Sequence, residues 1–122
     1  LLFCFGANNY LKENLYFYFD TGQGYYLFIE TSVPRRPNDT ARIESPQVAP
    51  KATPQCIRFW YHMYGPDVNT LNVYTKIGAN LGVPVWSRTG TVNNQWHFQA
   101  VDVITSGGSA FKVRTFFGLC IA

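Results

Sequence analysis

The chain has 122 residues, which is enough for one domain with a substantial hydrophobic core. Charged residues make up only 14% and aromatic residues 17% of the sequence, a balance that excludes a disordered chain. The formal net charge is +3, and among the ten basic residues only Arg35 and Arg36 are adjacent. Because a nucleic-acid surface needs clustered cations, the sequence predicts none. No run of apolar residues approaches the roughly 20 that a membrane-spanning helix needs, so no direct membrane span is predicted.

Short segments rich in aromatic and β-branched residues follow one another along the chain, separated by Gly, Pro, Asn and Asp. This pattern predicts an all-β sandwich or barrel. The predicted strands are 15–19, 24–31, 40–44, 56–64, 69–77, 84–88, 95–104 and 110–117. Segment 46–54 contains three prolines and is predicted to be a loop.

The triplet Asn38-Asp39-Thr40 is an acceptor sequence for N-glycosylation. It lies in a polar segment that follows Pro34 and Pro37. We therefore predict an exposed glycan at Asn38, with an unmodified turn as the alternative.

The strand predicted at 56–64 alternates between two faces. One face carries Ile57, Phe59, Tyr61 and Met63, and the other carries Cys56, Arg58, Trp60, His62 and Tyr64. Large rings on both faces predict a central strand that is covered on both sides. Trp60, Trp86 and Trp96 are all interpreted as core residues.

The last predicted strand also alternates. Phe111, Val113 and Thr115 lie on one side, and Lys112 and Arg114 lie on the other. One buried face and one solvated face are typical of antiparallel sheets.

No catalytic or metal-binding pattern occurs in the sequence. A zinc site needs three or four ligands, but the only histidines are His62 and His97, on separate predicted strands. There is no Gly-x-Ser-x-Gly motif, and the acidic residues Glu30, Glu44 and Asp102 are separately placed. We therefore predict that the chain is not an enzyme.

Residues 56–65, Cys-Ile-Arg-Phe-Trp-Tyr-His-Met-Tyr-Gly, resemble the central strand of MAM domains, which are extracellular modules of meprins, neuropilins and receptor-type tyrosine phosphatases. Further segments that are similar to this family follow in the expected order: 21–32, 41–46, 71–74, 85–90 and 94–97. Together they extend over residues 20–115.

The resemblance implies a jelly-roll-like sandwich of two antiparallel sheets, with residues 1–122 forming a single MAM-like domain of a larger, membrane-anchored extracellular protein. It also implies a disulfide between Cys56 and Cys120, which leaves Cys4 without a partner. Some family members bind calcium, but only Asp20 lies near a matching ligand position, so no calcium ligands are identified and no cofactor is predicted.

The implied function is non-catalytic protein–protein contact or adhesion, extracellular or at the cell surface. The partner would be a second copy, another protein or other domains of the parent protein, and loops 33–40 and 46–55 are the predicted contact surfaces. Two alternatives stay open. One is a carbohydrate-binding jelly roll that stacks exposed aromatic rings on sugars, and the other is an accessory spacer domain of an extracellular protease.

Overall fold

The computed structural model describes the backbone at residues 2–4, 11–13, 16–20, 24–29, 36, 39–104 and 108–119, and side chains at 29, 36, 39–104 and 108–116. Ten strands are described: β1 (Leu2–Cys4), β2 (Leu11–Glu13), β3 (Tyr16–Asp20), β4 (Gly24–Phe28), β5 (Thr40–Glu44), β6 (Gln55–His62), β7 (Val68–Lys76), β8 (Trp86–Thr89), β9 (His97–Val103) and β10 (Lys112–Leu119). All eight predicted strands are confirmed with small shifts at their ends. The short strands β1 and β2 were not predicted, because three residues are too few to show alternation.

The strands form two five-stranded sheets in which every pair is antiparallel. Sheet A has the order β3-β4-β1-β6-β9, and sheet B has the order β2-β5-β10-β7-β8. No helix occurs within the described ranges. The prediction of an all-β sandwich of two antiparallel sheets is therefore confirmed.

The hydrophobic core lies between the two sheets. Side chains from sheet A contact side chains from sheet B there. The centre of the Phe59 ring on β6 lies 5.2 Å from the centre of the Trp86 ring on β8, edge to face. The Tyr61 ring on β6 lies 5.1 Å from the same Trp86 ring. The other fully buried members include Met63, Leu71 and Val73. Burying these rings and branched chains removes apolar surface from water and holds the sheets together.

Strand β6 is an interior strand of sheet A, paired on both edges with β1 and β9, which agrees with the prediction that it is not an edge strand. Ile57, Phe59, Tyr61 and Met63 point inward as expected. The prediction of cover on both sides is wrong, however, because the Trp60 side chain is 48% exposed on the outer face. Trp86 packs partly buried against the core, and Trp96 is half-buried.

The chain passes from sheet A to sheet B at Gly65, in the turn between β6 and β7. Gly65 has a φ of 131°, a conformation that residues with a Cβ rarely adopt. Its N–H donates to Thr91 Oγ1 at 3.1 Å, and the N–H of Val92 donates to the carbonyl of Met63 at 2.6 Å. These bonds fix the segment before β9 against the end of β6.

Candidate interaction surfaces

The outer face of sheet A carries a cluster of exposed rings, which we call the aromatic face. It consists of Trp60, His62, Tyr64, Trp96 and Phe98. Trp60 on β6 lies directly opposite Phe98 on β9, and their rings are 5.2 Å apart. Trp60, Tyr64 and Phe98 are 48%, 56% and 52% exposed, so about half of each side chain remains available to a partner.

Polar groups hold and border the aromatic face. His62 Nε2 hydrogen bonds to Asn94 Oδ1 at 3.0 Å, and its ring contacts Trp96 and Tyr64 edge to face. Toward the start of β6, Arg58 and Asp102 are exposed. An apolar centre with a polar rim is the usual composition of a protein contact.

The outer face of sheet B carries a second cluster, which we call the basic face. It consists of Arg42, Lys76, Lys112 and Arg114 around Glu44. Lys112 Nζ donates to Glu44 Oε1 at 2.9 Å, and Lys76 Nζ to Oε2 at 3.4 Å. The Arg114 guanidinium donates to Oε2 through Nε at 2.6 Å and through a terminal nitrogen.

Two of these cations, Lys112 and Arg114, control the ionisation of Glu44. The hydrogen bond from Lys112 has the largest influence and lowers the pKa, burial of the carboxyl opposes it, and Arg114 lowers the pKa further. The result is a pKa of about 2 for Glu44, against an ordinary value of 4.5. Glu44 is therefore charged throughout the physiological pH range.

Two aromatic rings lie among the cations of the basic face. The guanidinium carbons of Arg42 and Arg114 lie 4.8 and 5.9 Å from the centre of the Phe116 ring. Tyr74 contacts the same ring edge to face at 5.2 Å. The rings thus orient the guanidinium groups and shield their apolar stems.

The two histidines do not meet in a metal site. His62 bonds to Asn94, whereas His97 bonds to Asn93 at 2.5 Å and stacks on Tyr61. Within the residues that the structure describes, no three His, Cys, Asp or Glu side chains are placed to share a metal ion.

The predicted disulfide and glycan are not tested directly, because Cys120 and Asn38 lie outside the described residues. Cys56 is exposed. Asp39 and Arg36 are joined by two hydrogen bonds, Asp39 N–H to the Arg36 carbonyl and Arg36 N–H to Asp39 Oδ2, and Arg36 and Thr40 are exposed.

The strand register places a strict condition on the Cys56–Cys120 bridge. Gln55 Nε2 donates to the carbonyl of Ala49, and the neighbouring Val48 pairs with Phe111, so the start of β6 lies near the start of β10. Strand β10 then runs eight residues, about 25 Å, to Leu119. Bridged Cα atoms lie within about 7 Å and consecutive Cα atoms are about 3.8 Å apart, so a strand that ends at Leu119 in this register does not favour the bridge, which stays a prediction.

The two predicted contact loops differ in how far they are described. Residues 46–54 form an irregular, largely exposed loop, as the three prolines predict. Val48 pairs with Phe111, and the carbonyl of Ala49 accepts the hydrogen bond from Gln55. In the loop at 33–40, only Arg36, Asp39 and Thr40 are described.

The family model of the MAM domain, meprin/A5/mu, matches residues 10–117. The chain belongs to the MAM family. The chain is 40% identical over 89 residues to MAM domain-containing glycosylphosphatidylinositol anchor protein 1 of Rattus norvegicus and of Homo sapiens, a match to 71% of this chain and 9% of the relative. MAM domain-containing glycosylphosphatidylinositol anchor protein 2 of Homo sapiens is 36% identical to the chain over 91 residues, which cover 66% of this chain and 10% of the relative. The chain thus spans about a tenth of the length of the curated relatives it matches.

Membership of the MAM family confirms the resemblance seen in the sequence and the extracellular or cell-surface location that it implied. The MAM domain and these relatives are not known enzymes. In the described part of the chain, no helix is long and apolar enough to cross a membrane.

Proposed function

We propose that this MAM domain is a non-catalytic protein-contact module of a larger, membrane-anchored extracellular protein, and that the aromatic face of sheet A makes the contact. The observation that carries the proposal is the exposed Trp60–Phe98 pair at the centre of that face. We further propose that residues 1–122 form one domain of the parent and that Asn38 carries a glycan, since exposed Arg36 and Thr40 flank it.

The exposed area of the aromatic face sets the binding free energy that burial of its rings can contribute. A Trp or Phe side chain presents about 150–250 Å² of surface, and about half of that is exposed here, so burial in a partner removes about 100 Å² per ring. At about 25 cal/mol per Å², each ring contributes about 2.5 kcal/mol to binding. Residues of this type dominate measured protein interfaces.

The geometry of the two rings favours a protein partner over a sugar. Sugar stacking uses a flat aromatic surface, but the Trp60 and Phe98 rings are inclined by 55° to each other and share no plane. The two rings contact each other and together present an uneven apolar surface, which suits the side chains of a protein partner better than the flat face of a sugar. Carbohydrate binding is therefore the second candidate function. A spacer role does not account for the exposed rings, because a spacer needs no contact surface.

The test is bead aggregation with the secreted domain, together with binding of the same beads to cells, with and without calcium. The double substitution Trp60→Ser/Phe98→Ser is expected to abolish bead clumping or cell binding, whichever of the two the unsubstituted domain shows. Val83→Ser/Ile104→Ser is the matched control, because Val83 and Ile104 are exposed apolar residues outside the aromatic face. Circular dichroism checks that both variants fold.

Three results would contradict the proposal. Equal loss with the control variant would show that general surface hydrophobicity causes the binding. Unchanged binding of the Trp60/Phe98 variant would move the contact to another surface, with the exposed loop at 46–55 as the next candidate. A glycan-array signal that quenches tryptophan fluorescence would favour the carbohydrate-binding alternative.

A further inference from the structure

Cations that are far apart in the sequence meet on three adjacent strands of sheet B. Arg42 comes from β5, Lys112 and Arg114 come from β10, and Lys76 comes from β7. The register places Arg42 opposite Phe116 and Lys76 opposite Lys112. Along the sequence only Arg35 and Arg36 are adjacent, but the pairing of the strands brings these four cations onto one face.

The positive charge of the basic face is only partly neutralised. Glu44 is the one described carboxylate within it, shared among three cations. Glu13 lies opposite Arg42 in the register of β2 with β5, at the edge of the same sheet. The other described acids lie elsewhere: Asp20 and Asp102 on sheet A, and Asp39 and Asp67 in connecting segments. Neighbouring like charges such as Lys76 and Lys112 repel each other unless anions lie between or above them.

Two cations keep donors free for an anionic ligand. Lys112 uses one of its three ammonium protons on Glu44, and its side chain is 36% exposed. Arg42 is exposed, and its guanidinium carbon lies 4.8 Å from the centre of the Phe116 ring. A contact with the ring uses none of the guanidinium N–H donors as hydrogen bonds to an anion. Arg114 is more buried and serves to orient Glu44 and Phe116.

We propose that the basic face binds a sulfated polysaccharide of the glycosaminoglycan type, with Arg42 and Lys112 as its principal contacts. Sulfate groups are permanent anions that accept paired N–H bonds from arginine and point-charge contacts from lysine. Lys76 and Lys112 lie side by side on adjacent strands, whereas Arg42 lies beside Phe116, four residues or about 13 Å farther along β10. The donors are therefore spread along the sheet, as binding to an extended chain of anions requires. The MAM domain is an extracellular module, and such polysaccharides occupy the same space.

The rings of the basic face argue against a nucleic acid as the ligand. Binding of single strands depends on aromatic rings whose faces are open to stack with bases. Here Phe116 is contacted by Arg42, Arg114 and Tyr74, which occupy its surroundings. The charged groups remain available to an anion, while the ring does not.

The experiment measures binding of the secreted domain to immobilised heparin over a range of salt concentrations. Arg42→Gln/Lys112→Gln is expected to weaken binding about thirtyfold at physiological salt, since each cation near a polyanion contributes about 1 kcal/mol. The slope of log Kd against log salt is expected to fall by about two, one for each contact removed. Lys51→Gln/Arg58→Gln is the matched control, because it removes the same net charge from an exposed loop position and from sheet A.

The outcomes separate clearly. Selective loss with the Arg42/Lys112 variant, and weak binding of desulfated heparin, support the proposal. Equal loss with the control variant overturns it, since retention would then reflect net charge alone. Single-stranded DNA of matched charge is the second control ligand. If it binds as tightly as heparin and loses as much affinity in the Arg42/Lys112 variant, the proposal is overturned, because the basic face would then recognise polyanions in general.

This inference is independent of the protein contact proposed for sheet A. The Arg42/Lys112 variant leaves the aromatic face intact, so bead aggregation is expected to be unchanged by it. If the domain does not bind heparin, the proposed protein contact at the aromatic face is unaffected. If the beads do not aggregate, the proposed polysaccharide binding at the basic face is unaffected.

Discussion

Replacing Glu44 with Gln tests the electrostatics of the basic face. The fall of the Glu44 pKa from 4.5 to about 2 corresponds to about 3 kcal/mol of preference for the charged form in the folded state. The Lys76, Lys112 and Arg114 side chains are 21%, 36% and 25% exposed, so solvent screening reduces this to about 1–2 kcal/mol. We expect Glu44→Gln to lower the free energy of unfolding at pH 7 by that amount.

The sign of the pH dependence follows from the lowered pKa. A carboxyl whose pKa is depressed by folding stabilises the protein above its unfolded pKa, near 4.5, and this stabilisation is lost as the pH falls toward 2. Gln is neutral at every pH. The difference in unfolding free energy between the parent and Glu44→Gln should therefore shrink from its full value at pH 7 to near zero at about pH 2.

Urea denaturation followed by tryptophan fluorescence, from pH 7 down to about pH 2.5, measures this difference. Asp102→Asn is the control, because it removes one exposed carboxylate from sheet A without touching the basic face. A difference for Glu44→Gln that does not change with pH would refute the reasoning, since the loss would then come from packing. Added salt should reduce the difference for Glu44→Gln.

Three further predictions concern the core, the turn and the disulfide. The buried Thr115 hydroxyl has no hydrogen-bond partner among the described side chains and backbone groups, so Thr115→Val should raise the unfolding free energy by about 1 kcal/mol in the same urea assay. A loss of stability would reveal a partner. Gly65→Ala should cost at least about 1 kcal/mol, because the φ of 131° is strained for alanine, and equal stability would show that the turn rearranges. Peptide mapping of the secreted chain under non-reducing conditions tests the Cys56–Cys120 bridge. A peptide linking Cys56 to Cys120 would confirm the bridge that the family resemblance implies, and an alkylated Cys56 peptide would show that the bridge is not formed.

The position of most strands could be predicted because the information is local. Alternation of Phe111, Val113 and Thr115 with Lys112 and Arg114 already separates a buried face from a solvated one, and the structure confirms this division. Prolines likewise interrupt the backbone pairing at 46–54 whatever the rest of the fold does. The strands β1 and β2 are too short for such a signal.

The outward position of Trp60 was not predictable from composition. Both faces of β6 carry rings, so the local pattern identifies two faces without saying which one meets the other sheet. Trp86 decides this, because it comes from sheet B and packs on Phe59 and Tyr61, which leaves Trp60 on the solvent side.

The sequence by itself determined the family, the strand-rich architecture and the alternation of faces, because each depends on residues that are neighbours along the chain. Only the tertiary structure decided which rings are exposed and which cations meet. Arg42, Lys76 and Lys112 are dozens of residues apart, and they share a surface because strands β5, β7 and β10 pair in one register. Register between distant strands is set by how the whole core packs, and no local pattern contains it.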